Sequence, residues 1–258
     1  MNKIKLLTII AVLLSLLSCS QWQKPYYDYS SVGKMTNQDY VDHLASLGES
    51  YLSFNKDRQE KISNQSKDYL NEIYHRIIQN NEIFLSKREP AFFYVIRHST
   101  PLIFSLPRSQ FFISSGLLKK FLKNEQLFVA ALSREIIRSQ RNLYERNVVL
   151  ATGNMSTEEM LNLMKLDLAT KEKINEWSYV VLRRSGFDSS ALLAWIQLQN
   201  KNPLDFALYS GDRSQISREE FAFKNFLVKE KRMNTEIGNL DEKNSSKSFY
   251  KLLSEIRE

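Results

Sequence analysis

Arg134, Glu135 and Arg138 are the residues of this chain whose types and spacing come nearest to chemistry. They stand in the run Ala130-Ala131-Leu132-Ser133-Arg134-Glu135-Ile136-Ile137-Arg138-Ser139-Gln140, which has the apolar pattern of a helix interior. Residues i and i+4 share a helical face. With His at the two Arg positions, this spacing would seat a zinc ion beside a carboxylate placed to act as general base. Arg has no lone pair to give and stays protonated below a pKa of roughly 12. The spacing of a metal site is therefore kept while its donors are gone.

The remaining reactive groups do not assemble a different site. His43, His75 and His98 are the only histidines, and no two of them have metal-ligand spacing. No nucleophile elbow and no Gly-rich phosphate loop accompanies them. Cys19 is the single cysteine, which excludes an internal disulfide framework.

Cys19 instead closes a leader. Lys3 and Lys5 are followed by an apolar run from Leu6 to Leu17, too short for a span of about 20 residues and suited to a signal peptide. The ending Leu16-Leu17-Ser18-Cys19 resembles the bacterial lipobox, in which the Cys is lipidated and becomes the new N-terminus. The expected division is a lipoprotein signal peptide at 1–18, a Tyr- and Ser-rich tether at 19–34, a domain at 35–235, and a polar linker with a C-terminal helix at 236–258. Ser20 after the Cys points to the outer membrane, since the usual inner-membrane sorting residue there is Asp. Lys and Arg outnumber Asp and Glu by 36 to 29. That surplus is too diffuse for a nucleic-acid footprint and is compatible with anionic lipid headgroups.

The elements around the motif follow from periodicity. Only 7 Gly and 5 Pro in 258 residues favour helices. One helix is expected from Thr36, and a longer one from about Lys56 to Asn80 with Leu70, Ile73, Tyr74, Ile77 and Ile78 as its core stripe. Three short β-type runs follow at 91–96, 102–106 and 110–114. Gly116-Leu117-Leu118 leads to the motif helix, Glu125 to Arg141. Ser156-Thr157-Glu158-Glu159 is a capping box from which a helical pattern runs to Ser185, with Gly186 as its C′ residue. A short helix is expected after Asp188, another helix from Ser217 and a last amphipathic one from Ser248. The fold class is α+β and mainly α-helical, with a sheet of about three strands packed on the motif helix.

This order resembles the HtpX-like and CAAX-prenyl-protease-type zinc metallopeptidases. Those proteins carry a segment like N-A-F-A-L-P-G-G, a β-run, a small-x-Gly-Leu turn and then A-A-V-L-A-H-E-I-G-H. Here Leu102-Ile103-Phe104-Ser105-Leu106-Pro107-Arg108-Ser109, Gly116-Leu117-Leu118 and Ala130 to Arg138 stand in the same order. Ser185-Gly186-Phe187-Asp188 matches the end of the family's second ligand helix. Counting back from it sets Lys173-Ile174-Asn175 where the family has Glu-Ala-Asp, with Ser178 at its Gly. The similarity covers about residues 90 to 200. It implies a gluzincin-type domain whose ligand positions hold Arg134, Arg138 and Lys173, so that no metal, no cofactor and no catalytic residue is expected. Pro107-Arg108-Ser109 also departs from the family's Gly-Gly.

Two arrangements of the vestigial motif are open at this level. Glu135 could sit among Arg134, Arg138 and Lys173 in an ion-pair cluster that replaces the metal as a cross-link. Alternatively, both Arg could be solvated, with a weak i,i+3 pair to Glu135. The corresponding functional expectation is a lipid-anchored, inactive metallopeptidase homologue of the cell envelope, facing the periplasm and acting in binding, scaffolding or quality control. Its cleft could hold an extended envelope protein or peptide partner by strand addition to the sheet; nucleic acid is not expected. The alternative is an active zinc metalloendopeptidase with another ligand set, for instance Glu172 with a distant His.

Overall fold

Alternate residues of the segment between Val95 and Ser114 are buried toward opposite sides, the period of strands with both faces covered. In the computed structural model, which describes residues 35–82, 89–146, 148–150, 155–231 and 245–256, these strands are β2 (Phe92–Ile96), β3 (Ile103–Leu106) and β4 (Gln110–Ser114). A fourth, β1 (Gln59–Glu60), joins them, and the order is β1-β2-β4-β3. β2 and β4 are parallel; the other two pairings are antiparallel. The sheet is thus mixed and has four strands where about three were expected. Val95, Ile103, Phe111 and Ile113 face one core, while Ile96, Phe104, Leu106 and Phe112 face another. The β3–β4 turn is tight, with Arg108 and Ser109 both at positive φ, 61° and 54°. Buried Ser109 is held there by the Ser139 hydroxyl, which accepts from its N–H at 3.1 Å, and by Tyr74 and Gln140.

The helices are α1 (Asn37–Phe54), α2 (Asn64–Gln79), α3 (Ser115–Lys120), α4 (Glu125–Arg141), α5 (Thr157–Leu163), α6 (Leu168–Arg184), α7 (Ala191–Lys201), α8 (Ala207–Ser210), α9 (Arg213–Lys231) and α10 (Lys247–Glu255). The described residues from Asn37 onward form one compact unit. The motif helix α4 has the expected bounds, opened by the Asn124 side chain accepting from the Leu127 N–H at 2.8 Å. Three expectations are corrected. The helix expected from Ser217 starts four residues earlier, at Arg213, where Asp212 accepts from the Gln215 N–H at 2.8 Å. The helix expected from Lys56 starts only at Asn64, because the Ser63 hydroxyl caps it and the residues before it leave to pair as β1. The helical pattern from Ser156 to Ser185 is two helices: the capping box opens α5, and Asp167 caps α6 afresh through the Thr170 N–H. The signal peptide at 1–18, lipidation at Cys19, the tether to 34 and residues 236–244 of the polar linker lie outside the described residues. Among the described residues no helix is long and apolar enough to cross a membrane.

α10 lies on α2 and is fixed at both ends. At its start, Glu125 accepts from the Ser246 N–H at 2.7 Å and its hydroxyl at 2.8 Å. At its other end, Glu255 accepts from the Ser63 N–H and hydroxyl at 2.8 and 2.7 Å and from the Ser66 hydroxyl at 2.9 Å. The carboxylate thereby sits at the N-terminus of α2, where the helix dipole favours negative charge. Burial works against its ionisation, but these donors outweigh it and hold the carboxyl well below its usual range, at about 2. A depressed carboxyl contributes stability in full above the ordinary value of 4.5 and loses it as the pH falls toward 2. Glu255→Gln is therefore expected to cost about 2 kcal/mol in urea unfolding at pH 7. The gap from wild type should shrink below pH 4.5 and be lost as the pH falls through about 2; a pH-independent gap would contradict this origin.

Candidate functional site

Every residue of α4 from Phe128 to Gln140 is buried, so this helix has no solvent face and its polar residues must find partners inside the protein. Arg134, Glu135 and Arg138 are 6%, 4% and 3% exposed. That removes the arrangement with both Arg solvated. It also changes the geometry of the expected cluster, because the main partner of Arg134 is Glu219 of α9.

Arg134 Nη2 donates to Glu219 Oε1 at 2.7 Å. The same carboxylate accepts from Asn175 Nδ2 at 2.9 Å and lies 3.9 Å from Lys171 Nζ, both on α6. Lys171 Nζ also donates to the Ser210 carbonyl at 2.6 Å. Glu135 is held differently: the Ser105 hydroxyl donates to Oε2 at 2.9 Å, and the Tyr209 hydroxyl donates to Oε1 at 3.2 Å. Arg138 Nη1 lies 3.9 Å from Glu135, Nη2 donates to the Met164 carbonyl at 2.6 Å, and the guanidinium sits 5.1 Å over the Tyr144 ring. Three cations and two carboxylates thus tie α4 to β3, α6, α9 and the segments around Met164 and Tyr209.

The fields inside this cluster are opposed by design of its packing. Burial would lower the Arg134 pKa, but Glu219, Tyr209 and Glu135 raise it above the ordinary value. Burial lowers that of Lys171, Glu219 opposes the fall, and Arg134 and Arg138 add to it. Burial, reinforced by Glu135, raises the Tyr209 phenol, so it remains neutral and a donor. A cavity of about 30 Å³ is lined by Arg134, Glu135, Arg138, Lys171, Tyr209 and Glu219 among others. It has room for roughly one or two water molecules and none for a peptide.

Lys173 does not take part. It is exposed, with Nζ 4.8 Å over the Trp177 ring. The inner face of α6 carries Lys171, Asn175 and Ser178, spaced i, i+4, i+7. Lys173 lies roughly 200° round the helix from Lys171, so the residue facing Arg134 and Arg138 is Lys171, two positions earlier than counted. Glu219, Tyr209, Ser105 and Lys171 were not anticipated. One signal for Glu219 was present: Ile216, Glu219, Glu220 and Phe223 form an i, i+3, i+4, i+7 stripe, and an acid on such a stripe needs a buried partner.

These residues do not fit a zinc ion. The guanidiniums of Arg134 and Arg138 have no lone pair, Lys171 already donates its N–H, and Glu219 is engaged by Arg134 and Asn175. Neither Glu172 nor any histidine lines the cavity. Among the described residues no group of three or more His, Cys, Asp or Glu is placed to hold a metal. The edge strand beside the cluster is closed as well: Ile103 to Leu106 are all fully buried, so β3 offers no edge for strand addition. No protein-family model matches the chain, and no curated protein matches it.

Proposed function

We propose that the protein is a catalytically inactive relative of the HtpX-like and CAAX-prenyl-protease-type zinc metallopeptidases that works by binding or scaffolding in the bacterial cell envelope. In this reading a lipid on Cys19 anchors it to the outer membrane, facing the periplasm. The observation that carries the reading is the burial of Arg134-Glu135-Ile136-Ile137-Arg138 against α6, with Lys171 converging on the same cavity. Arg134 and Arg138 hold two of the positions that the resemblance assigns to ligands; the third cation at the cavity is Lys171 and not the counted Lys173, and a divalent ion there would meet the repulsion of all three. Glu135 takes hydrogen bonds from two hydroxyls, the position of a fixed structural anion. The sheet with its parallel β2–β4 pair and the adjoining α4 support the family comparison at the level of architecture.

Metal analysis of the purified protein with a casein-cleavage assay tests the inactive reading. The expected result is no stoichiometric zinc and no chelator-sensitive cleavage; the opposite pair of results overturns it. Labelling with radioactive palmitate tests the anchor, and the label is expected to disappear in Cys19→Ser.

A further inference from the structure

The side of β2 opposite β4 is covered only in part. In the parallel β2–β4 ladder the Phe92 N–H donates to the Ser109 carbonyl at 2.9 Å, which directs the backbone groups of Phe92, Tyr94 and Ile96 toward β4. Those of Phe93 and Val95 point the other way. There Val95 pairs with Glu60, and the Arg97 N–H donates to the Arg58 carbonyl at 2.7 Å. The next pair in this antiparallel series would be Phe93 with Ile62. The chain turns off after Glu60 to reach the Ser63 cap of α2, so the pair is not made. Among the described residues nothing hydrogen-bonds to the backbone of Phe93 on this side.

A groove of about 720 Å³ opens along this stretch, between β1, β2 and α2. Lys56, Lys61 and Lys67 line it, all exposed and, among the described residues, without a carboxylate within 4 Å. Two acids also line it: Asp57, and Glu60, which Arg97 neutralises at 2.7 Å. Beside the open edge Phe92 keeps 46% of its surface exposed. An open strand edge recognises an extended backbone, and flanking side chains choose its sequence. We infer that the edge at Ala91–Phe93 docks an extended, acidic segment of a partner protein, added as a strand along β2 with carboxylates meeting the three lysines and an apolar residue on Phe92. This deepens the binding role proposed above and rests on it, because an active hydrolase would cleave what it held.

The test is selection from a phage-displayed library of random twelve-residue peptides on the purified full-length protein in detergent. Selected peptides are expected to be rich in Asp and Glu and in β-branched or aromatic residues. Their affinity should fall at least ten-fold for the Lys56→Glu, Lys61→Glu, Lys67→Glu triple variant, whose changes are all on exposed side chains. Lys67→Glu alone, on α2 and clear of the sheet, should give a smaller loss in the same direction. Hydrogen exchange of residues 91–94 should slow in the complex. Failure to select binders, binders indifferent to the lysines, or protection elsewhere overturns the docking site. So does a free protein that dimerises through this edge, which would assign it to a second copy. Intact peptide recovered by mass spectrometry keeps the inactive reading; cleaved peptide overturns that reading while leaving the docking site in place.

Discussion

Glu219→Gln is expected to destabilise the protein by about 3–5 kcal/mol, read as a lowered urea midpoint. Glu219 is the only carboxylate in contact with the Arg134 guanidinium at hydrogen-bond distance, 2.7 Å among the described residues, and both side chains are buried. An amide in its place leaves Arg134 charged in a low-dielectric setting, and Lys171 loses its nearest anion too. The loss measures the exposed debt of those cations more than the strength of the pair. For that reason the triple change Arg134→Met, Lys171→Met, Glu219→Leu, which removes all three charges and keeps most of the volume, is expected to recover most of the stability, and Arg134→Met, Glu219→Leu, which leaves Lys171 without its anion, only part of it. Glu135→Gln should cost less, about 1–2 kcal/mol. Its partners are the hydroxyls of Ser105 and Tyr209, and Arg138 stands farther off at 3.9 Å. Unchanged melting in both single variants would mean that the cluster does not cross-link the helices.

Gly116→Ala is the second large effect expected, about 3 kcal/mol. α3 starts pressed against the corner after β2: the Gly116 N–H donates to the His98 carbonyl at 2.9 Å, and the Ser114 hydroxyl accepts from the Leu117 N–H at 3.1 Å. A Cβ on residue 116 would lie 2.2 Å from the Ser99 carbonyl oxygen and 2.7 Å from that of His98. Both are backbone atoms, so no rotamer change relieves the contact and the corner itself must move. The φ of this residue does not enter, so the cost is one of space. Urea unfolding of the alanine variant checks it, and a shift within 0.5 kcal/mol of wild type, the range of ordinary surface changes, would show that the corner yields freely.

Much of this arrangement could be anticipated from local signals. The bounds of α4 follow from Asn124 as cap and the apolar run behind it, and the Ser156 capping box forms with both of its hydrogen bonds. What escaped was decided by tertiary structure. β1 is two residues long and exists only because β2 is there to pair with. The break between α5 and α6 falls where the helical apolar spacing lapses between Met164 and Ile174, and Asp167, which caps the new start, was the local signal passed over. Counting back from Gly186 reaches Lys173 where Lys171 is the inner residue, and two positions, little more than half a turn, exchange an inner residue for an outer one. Glu219 was visible as an acid on a core stripe, yet its partner 85 residues earlier had no local mark.

The clamp on α10 also sets a timetable. Ser63 and Ser66, at the start of α2, are completed by Glu255, 192 residues after Ser63 in sequence. Until that helix has been synthesised, Glu125 lacks the Ser246 groups it caps and the first turn of α2 lacks its carboxylate. These hydrogen bonds therefore form only once α10 has been synthesised, after every other element they join.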